Sequence, residues 1–402
     1  MYTIFNTEKF IKQEVINRPE SLFKKDLENF NAAIQKEIKD KSVLVIGGAG
    51  TIGSSFIKAL LVYKPKKLVV IDINENGLTE LVRDCRSSNT ISLPEYFKFY
   101  PLNFGNKIFD KIFSTEGPFD IVANFAAHKH VRSEKDVYSI EAMFDNNVFN
   151  AKKLLDKLLQ QPPQHFFCVS TDKAANPVNI MGASKKLMEE VILAYTNDFN
   201  ITTARFANVA FSNGSLLAGF IERVMKRQPL ACPSDVRRFF VSPQESGEIC
   251  LMACVLGKSG DIFFPKLFED DMINFADIAI RFIKALGYEP EICTTETEAR
   301  EKISLIKEKK YPVFFFKSET SGEKLYEEFY TENEELDMDT FTSLGIIKNA
   351  ERKNKHELNE VINSIENLFT LNADKKDVIS LLNNLLPGFK HIETGMNLDQ
   401  KM

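Results

Sequence analysis

No stretch of this sequence reaches the roughly 20 consecutive apolar residues that a membrane-spanning helix needs. Its opening, MYTIFNTEKF, has no basic segment followed by an apolar one, so neither a span nor a secretory signal is expected. CxxC pairs are missing too. Cys250 and Cys254 stand one helical turn apart with no histidine near them in sequence. With Cys85, Cys168, Cys232 and Cys293 they are expected to be reduced, buried thiols of a cytoplasmic protein, and no metal site is expected. A basic excess is also lacking. Lys and Arg number 51 against 56 Asp and Glu, a formal charge of −5, which argues against a nucleic-acid groove. Tryptophan is absent altogether, and that excludes nothing. There is no internal repeat and no low-complexity linker. What remains is a 402-residue chain with 44% hydrophobic residues, enough for a large core and long for one domain.

Apolar periodicity organises the chain. Phe23, Leu27, Phe30, Ile34 and Ile38 recur at spacings of four and three, which predicts a helical arm over residues 1–40 that packs on the body or on a partner subunit. From residue 42 short apolar runs alternate with helical patterns. SVLVIG (42–47) reads as a strand buried on both faces, and KLVVID (67–72), 96–101, FDIVANF (119–125), HFFCVS (165–170) and 201–206 read as further strands. Between them 51–63, 76–86, 137–160 and 180–199 read as helices. This alternation predicts an α/β fold, a doubly wound parallel (Rossmann) sheet over 41–206. After residue 207 the alternation loosens. Residues 207–350 are expected to form a smaller, interlocked substrate-binding α/β cap with a helix returning to the sheet, and 351–402 a helical extension.

Gly47-Gly48-Ala49-Gly50-Thr51-Ile52-Gly53 follows the first strand and opens the first helix. Missing β-carbons at Gly47, Gly50 and Gly53 let the backbone turn tightly beside a pyrophosphate, and the N–H groups at Thr51 and Ile52 belong to an anion-binding helix start. Asp72 ends the second strand 19 residues after Gly53. A carboxylate there accepts from both ribose hydroxyls and repels a 2′-phosphate, which favours NAD over NADP. The small Ala126 and Ala127 would let the fourth strand end close to that cofactor.

The fifth strand closes on Ser170-Thr171-Asp172-Lys173. Polar residues in succession at the carboxyl end of a parallel strand mark a site. Ten residues after Thr171 comes Met181, and Lys185 follows it by one helical turn, on the same face. The glycine pattern, the Thr-Asp-Lys triplet and the x-x-x-Lys spacing resemble the extended short-chain dehydrogenase/reductases. TDKAANPVNIMGASKK (171–186) more closely resembles the bacterial polysaccharide-biosynthesis 4,6-dehydratases acting on UDP-N-acetylglucosamine. The likeness continues through AAHKHV (126–131), RFANV (205–209), DVRRFF (235–240) and GEKLYEE (322–328). RPESLF (18–23) resembles the stretch before the glycine loop of the large membrane-anchored members, so the chain resembles their cytosolic part without the membrane segment. One departure stands out. Most short-chain dehydrogenases carry tyrosine where this chain has Met181, and a thioether cannot act as a base. The membrane-anchored dehydratases share that methionine.

The resemblance implies three steps: hydride leaves C4 of the hexose for NAD, water is eliminated across C5 and C6, and hydride returns to C6. Thr171 would hold the 4-hydroxyl, Asp172 accept its proton and later protonate the C6 hydroxyl, and Lys173 remove the C5 proton. Lys185 would bind the nicotinamide ribose and supply positive charge. Asn208 matches a family position that contacts the nucleotide sugar. Lys129 and His130 are placed to reach hydroxyls or phosphate, Arg238 to clamp the pyrophosphate, and Glu323 and Lys324 to line the nucleotide end. The helices at 137–160 and 180–199 would pair with their copies in a homodimer or higher homo-oligomer. Three alternatives stay open: a C4-epimerase of the same substrate, a GDP-linked substrate, and a non-catalytic NAD-binding regulator.

Overall fold

Short runs rich in β-branched and aromatic residues build the centre of the molecule. In the computed structural model, which describes residues 5–318, 327–371 and 373–392, six strands pair in parallel. They are Ser42–Ile46 (β1), Lys67–Asp72 (β2), Tyr96–Pro101 (β3), Ile121–Asn124 (β4), His165–Val169 (β5) and Ile201–Ala204 (β6). Every residue of β1, β4, β5 and β6 is buried, as a strand covered on both faces requires. Helices α1 (Thr7–Phe10) and α2 (Lys24–Ile38) precede β1. The crossovers hold α3 (Thr51–Leu61), α4 (Glu75–Ser87), α5 (Lys107–Glu116), α6 (Val137–Phe144), α7 (Asn150–Leu158) and α8 (Ile180–Leu193).

The chain continues through β7 (Asn208–Val209), α9 (Leu216–Met225), β8 (Leu230–Pro233), β9 (Arg237–Arg238), β10 (Phe240–Val241), α10 (Pro243–Leu256), β11 (Ile262–Pro265) and β12 (Ile273–Asn274). It ends with α11 (Phe275–Ala285), β13 (Glu289–Cys293), α12 (Glu296–Glu301), β14 (Lys310–Phe316), β15 (Leu336–Asp337), β16 (Leu344–Ile347), α13 (Lys355–Thr370) and α14 (Lys375–Leu385).

The main sheet has nine strands in the order β15-β16-β11-β6-β5-β4-β1-β2-β3. Its winding direction reverses between β1 and β4, the crevice where doubly wound sheets bind ligands. The fold class is therefore the expected one, with an edge that periodicity did not show. β11 extends the sheet in parallel beside β6, and β16 and β15 run antiparallel at its end. More of 207–350 thus returns to the sheet than the single helix expected. That helix, α10, starts with a capping box between Ser242 and Glu245 and Pro243 in its first turn. A β-carbon on its Gly247 would lie 2.3 Å from the Ser55 carbonyl oxygen, so α10 and α3 meet backbone to backbone.

A second, smaller apolar cluster joins β8 and β14 to α9 and α11 around Leu230, Val313, Phe220 and Phe282. The N-terminal arm divides between the two clusters. Phe10, Ile11 and Val15 enter the smaller one, whereas Phe23, Ile34 and Ile38 are fully buried in the main one. Each of those three side chains stabilises the docking of α2 by roughly 1.5–3 kcal/mol. Arg18 and the Leu22 amide both donate to Glu245, which fastens the arm to the start of α10.

The helix expected over 137–160 runs from Val137 to Leu158 without a break in helical backbone, but not with one period throughout. A π-helical turn at Asp145–Phe149 separates α6 from α7. α13 and α14 form a hairpin beside α6 and the end of α8. Lys353 pairs with Glu190, Lys355 with Asp198, and the Phe369 ring meets Phe144. At the far end the Lys390 and Ile392 amides donate to the Pro177 and Val178 carbonyls. Every residue of α8 except Lys186 is buried. All six cysteines are unpaired and buried. Among the described residues no helix is long and apolar enough to cross a membrane.

Candidate active site

The glycine loop fits a dinucleotide on steric grounds. Gly47 has φ +75°, and a β-carbon there would lie 2.5 Å from the Ala126 nitrogen. The loop after β1 and the end of β4 therefore touch through bare backbone. A β-carbon on Gly53 would lie 2.3 Å from the Gly47 oxygen, so the first turn of α3 is equally close. Gly50 is exposed and caps α3 without any side-chain bond, which leaves the helix start to a ligand. Ile52, Ala126 and Ala127 are half-buried around it, and Thr51 accepts from the Asn213 amide at 2.9 Å. Asp72 holds the loop by accepting from the Ala49 amide at 2.9 Å and from the Asn74 amide at 2.8 Å. Asn74, not Asp72, is the N-cap of α4. We expect Gly47→Ala to lose NAD binding and to lower the denaturation midpoint. The left-handed conformation costs about 1–2 kcal/mol and the overlap with Ala126 roughly 1–3 kcal/mol more. Nucleotide-titration calorimetry and urea unfolding check both parts.

The triplet after β5 folds into a single 3₁₀ turn, Asp172–Ala174, with Thr171 as its cap. Asp172 is buried, and Lys173 binds both of its oxygens at 3.1 Å. The Thr171 hydroxyl donates to Asp172 at 2.7 Å. Alcohol, carboxylate and amine thus stand in one continuous chain of hydrogen bonds at the carboxyl end of the strand. Lys185 is buried beneath them. It donates to the Val169 carbonyl at 2.6 Å, and burial pushes its ammonium pKa down. Met181 is buried, and its amide donates to Glu134 at 2.8 Å.

Three residues beyond the sequence reading take part. The π-helical turn buries Asn147, which accepts from the His128 amide at 2.8 Å and donates to the His128 carbonyl and the Ser184 hydroxyl, both at 3.0 Å. It thereby fixes the β4 loop that carries Lys129 and His130. Those two are exposed, and the His130 ring lies against Gly214. Arg205, fully buried at the end of β6, is clamped by Glu189 at 2.9 and 2.8 Å. Ser170 donates to the same Glu189. Glu327 is the third. It accepts from the Phe239 amide at 2.9 Å and from Asn208, and lies 3.6 Å from the Arg238 guanidinium. Burial, then the charge of Asp172, pushes its carboxyl up to about 7, against the opposing pull of Lys173 and Arg238. Asn208 and Arg238 thus meet the triplet's charges through Glu327. Glu323 and Lys324 lie outside the described residues. The adjoining Glu328 accepts from Asn176 at 3.0 Å, which ties the segment after them to the triplet's loop. The family motif GEKLYEE contains Glu327, but nothing in a single sequence separates a buried glutamate from its exposed neighbour.

The profile of the family described as polysaccharide biosynthesis proteins matches residues 43–349. The chain belongs to that family. Among its relatives is an uncharacterised membrane protein of Methanocaldococcus jannaschii, 30% identical over 316 residues, 77% of this chain and 86% of that protein. A UDP-N-acetylglucosamine 4,6-dehydratase (inverting) of Campylobacter jejuni is 25% identical, over 59% of this chain and 70% of its own. A UDP-glucose 4-epimerase of Rickettsia canadensis is 29% identical, over 56% and 66%. The chain spans about half the length, 47%, of the polysaccharide biosynthesis proteins EpsC of Bacillus subtilis and CapD of Staphylococcus aureus. Among solved structures, Pen from Bacillus thuringiensis superposes with a TM-score of 0.64 at 24% identity, over 79% of this chain and 90% of that one.

Proposed function

We propose that this member of the family is an NAD-dependent 4,6-dehydratase of UDP-N-acetylglucosamine, yielding a 4-keto-6-deoxy-hexosamine nucleotide for surface polysaccharide or modified-sugar synthesis. The observation that carries the reading is the ion pair of Asp172 and Lys173, 3.1 Å on both oxygens, where β5 ends beside the glycine cradle's sheet edge. Oxidation and reduction at one carbon need neither group. Elimination needs an acid and a base beyond the oxidation apparatus.

Gly47, Gly50, Gly53 and Asp72 would hold NAD, which would supply the hydride acceptor and donor for the sugar. Thr171 orients the 4-hydroxyl and passes its proton to Asp172 along their 2.7 Å bond. With Met181 in place of a phenol, this relay is the route by which the alcohol loses its proton. Lys173 removes the proton from C5. Asp172 gives its proton to the departing C6 hydroxyl, which leaves as water. Lys185 keeps positive charge under the strand end, and reaches a ribose by exchanging its bond to the Val169 carbonyl. Asn208, Arg238, Lys129 and His130 hold the nucleotide sugar, with Glu323 and Lys324 at its nucleotide end. A homodimer would use the α6–α7 surface, where Tyr138 is 78% exposed, since α8 is buried within the chain.

Incubation of the protein with NAD and UDP-N-acetylglucosamine tests the reading. The expected product is lighter by one water in mass spectrometry. An isomer of unchanged mass would instead make the chain a C4-epimerase, a reading favoured by the epimerase's similar identity. Turnover of a GDP-linked sugar alone would move the substrate. NAD binding without turnover of any nucleotide sugar would leave a non-catalytic regulator.

A further inference from the structure

The last described segment lies beyond the stretch that matches the family, yet it ends on the loop that joins the triplet to α8. Gly388, with φ +92°, sits in the turn after α14, and Phe389 is buried in the main apolar cluster. The Lys390 and Ile392 amides then donate to the Pro177 and Val178 carbonyls, at 3.3 and 3.0 Å. Between them stands His391. Its side chain is 4% exposed, and its Nε2 lies 3.7 Å from an oxygen of Glu134, whose side chain is 5% exposed. That distance is too long for a hydrogen bond, and Nε2 has no hydrogen-bond partner among the described residues. A buried imidazole nitrogen and a buried carboxylate are costly neighbours unless each offsets the other's lost hydration.

We infer that His391 is a positioning residue of the candidate active site, acting through Glu134 on the start of α8. Glu134 closes the 3₁₀ turn Val131–Glu134, which follows Lys129 and His130. Its other oxygen accepts from the Met181 amide at 2.8 Å. A carboxylate there satisfies a free N–H of the helix start and meets the positive end of the helix dipole. Asn179 supplies the second hold on this turn, accepting from the Gly182 amide at 2.7 Å. The turn in question touches the triplet. A β-carbon on Gly182 would lie 2.7 Å from the Lys173 carbonyl oxygen, so α8 begins against the backbone of Lys173 itself. Lys185 stands one turn further along the same helix. A shift of the Met181–Gly182 turn therefore displaces Lys173 and Lys185 relative to the glycine cradle, and a misplacement of about 1 Å between reacting groups costs up to about 100-fold in rate. His391 and the two amides beside it hold that turn from one side, Glu134 from the other.

Two replacements separate polar attraction from the filling of space. His391→Gln keeps a donor that can face Glu134 and loses the ring. His391→Phe keeps a ring beside Phe389, whose centroid lies 6.1 Å from that of His391, and loses the donor. In the full chain, His391→Phe is expected to lower kcat for water loss roughly 10-fold while KM for UDP-N-acetylglucosamine and NAD affinity stay within about twofold, because the nucleotide contacts lie elsewhere. His391→Gln is expected to recover most of that loss. Glu134→Gln still accepts from the Met181 amide but carries no charge, and in that background His391→Phe should cost nothing further.

Hydrogen exchange of the peptide spanning residues 176–184 reads the same contact without turnover. Faster exchange is expected in His391→Phe than in the wild type or His391→Gln, with peptides from β1 and β4 unchanged. Wild-type kcat and wild-type exchange in His391→Phe overturn the role. A loss in His391→Gln with none in His391→Phe assigns the side chain to packing and overturns it too. Whatever His391→Gln recovers, a His391→Phe loss that persists in full in Glu134→Gln shows that it does not act through the carboxylate, and the role falls. The kinetic arm rests on the dehydratase reading and the exchange arm does not. A wild type that releases no water overturns that reading, and the exchange comparison across the same variants then decides the role of His391.

Discussion

Lys173→Ala is expected to abolish water loss while NAD still binds. The lysine lies outside the glycine cradle, so the cofactor's contacts survive. What disappears is the only amine bonded to Asp172 among the described residues. Without it no group on this strand end takes the C5 proton, and the loss should reach roughly 10³-fold or more, the scale of a missing general base. The 24% exposure of the Lys173 side chain keeps the structural cost small. Two measurements separate chemistry from folding. Product mass reports elimination. Incorporation of solvent deuterium at C5 reports whether the proton is removed at all. Deuterium at C5 with full turnover in the variant would remove Lys173 from the mechanism.

Glu189→Ala is expected to destabilise the fold by up to about 3–5 kcal/mol, the cost of stranding a buried charge, lessened because Glu334 still pairs with Arg205. Arg205 is entirely buried and reaches Glu189 with two donors, at 2.9 and 2.8 Å, the Phe329 carbonyl at 3.0 Å and Glu334 at 3.0 Å. Removal of Glu189 also frees the Ser170 hydroxyl next to the Thr171–Lys173 triplet. Activity and stability should therefore fall together, unlike in Lys173→Ala. Burial alone would raise the pKa of Glu189, but the charge and hydrogen bonds of Arg205 bring it below the ordinary 4.5. A lowered carboxylate contributes stability that is fully present above pH 4.5 and is lost as pH falls through the lower folded value. The wild type should lose this contribution on acidification, and the variant should show a flatter acid limb in urea unfolding against pH.

The same buried helix shows what a sequence reveals and what it hides. The apolar strands were legible because a strand covered on both faces must be largely apolar, and β1, β4 and β5 are, apart from Ser42, Asn124 and His165 at their ends. The glycine loop was legible because its spacing and its position after a strand are both constrained. The helical span of α8 was legible, and Lys185 was singled out as a site residue, but the burial of Glu189 and Glu190 was not legible. Their partners, Arg205 and Lys353, come from other elements. Glu327 was missed for the same reason: its setting is made by Phe239, Asn208 and Arg238, none of them near it in sequence. The π-helical turn that buries Asn147 changes the helical phase within a pattern that otherwise keeps period. β15 and β16 have two and four residues, too short for alternation to register.

Bonding of the last described segment to the loop before α8 has a consequence for how that loop is held. The loop from Asn176 to Asn179 carries the turn from the Thr171–Lys173 triplet into α8, and residues 390 and 392 bond to its backbone. The brace is covalently part of the molecule it steadies, so its local concentration is set by a short tether and not by how much protein is in solution. Dilution cannot remove it. A chain that braces its own loop this way keeps that loop's geometry even at low abundance.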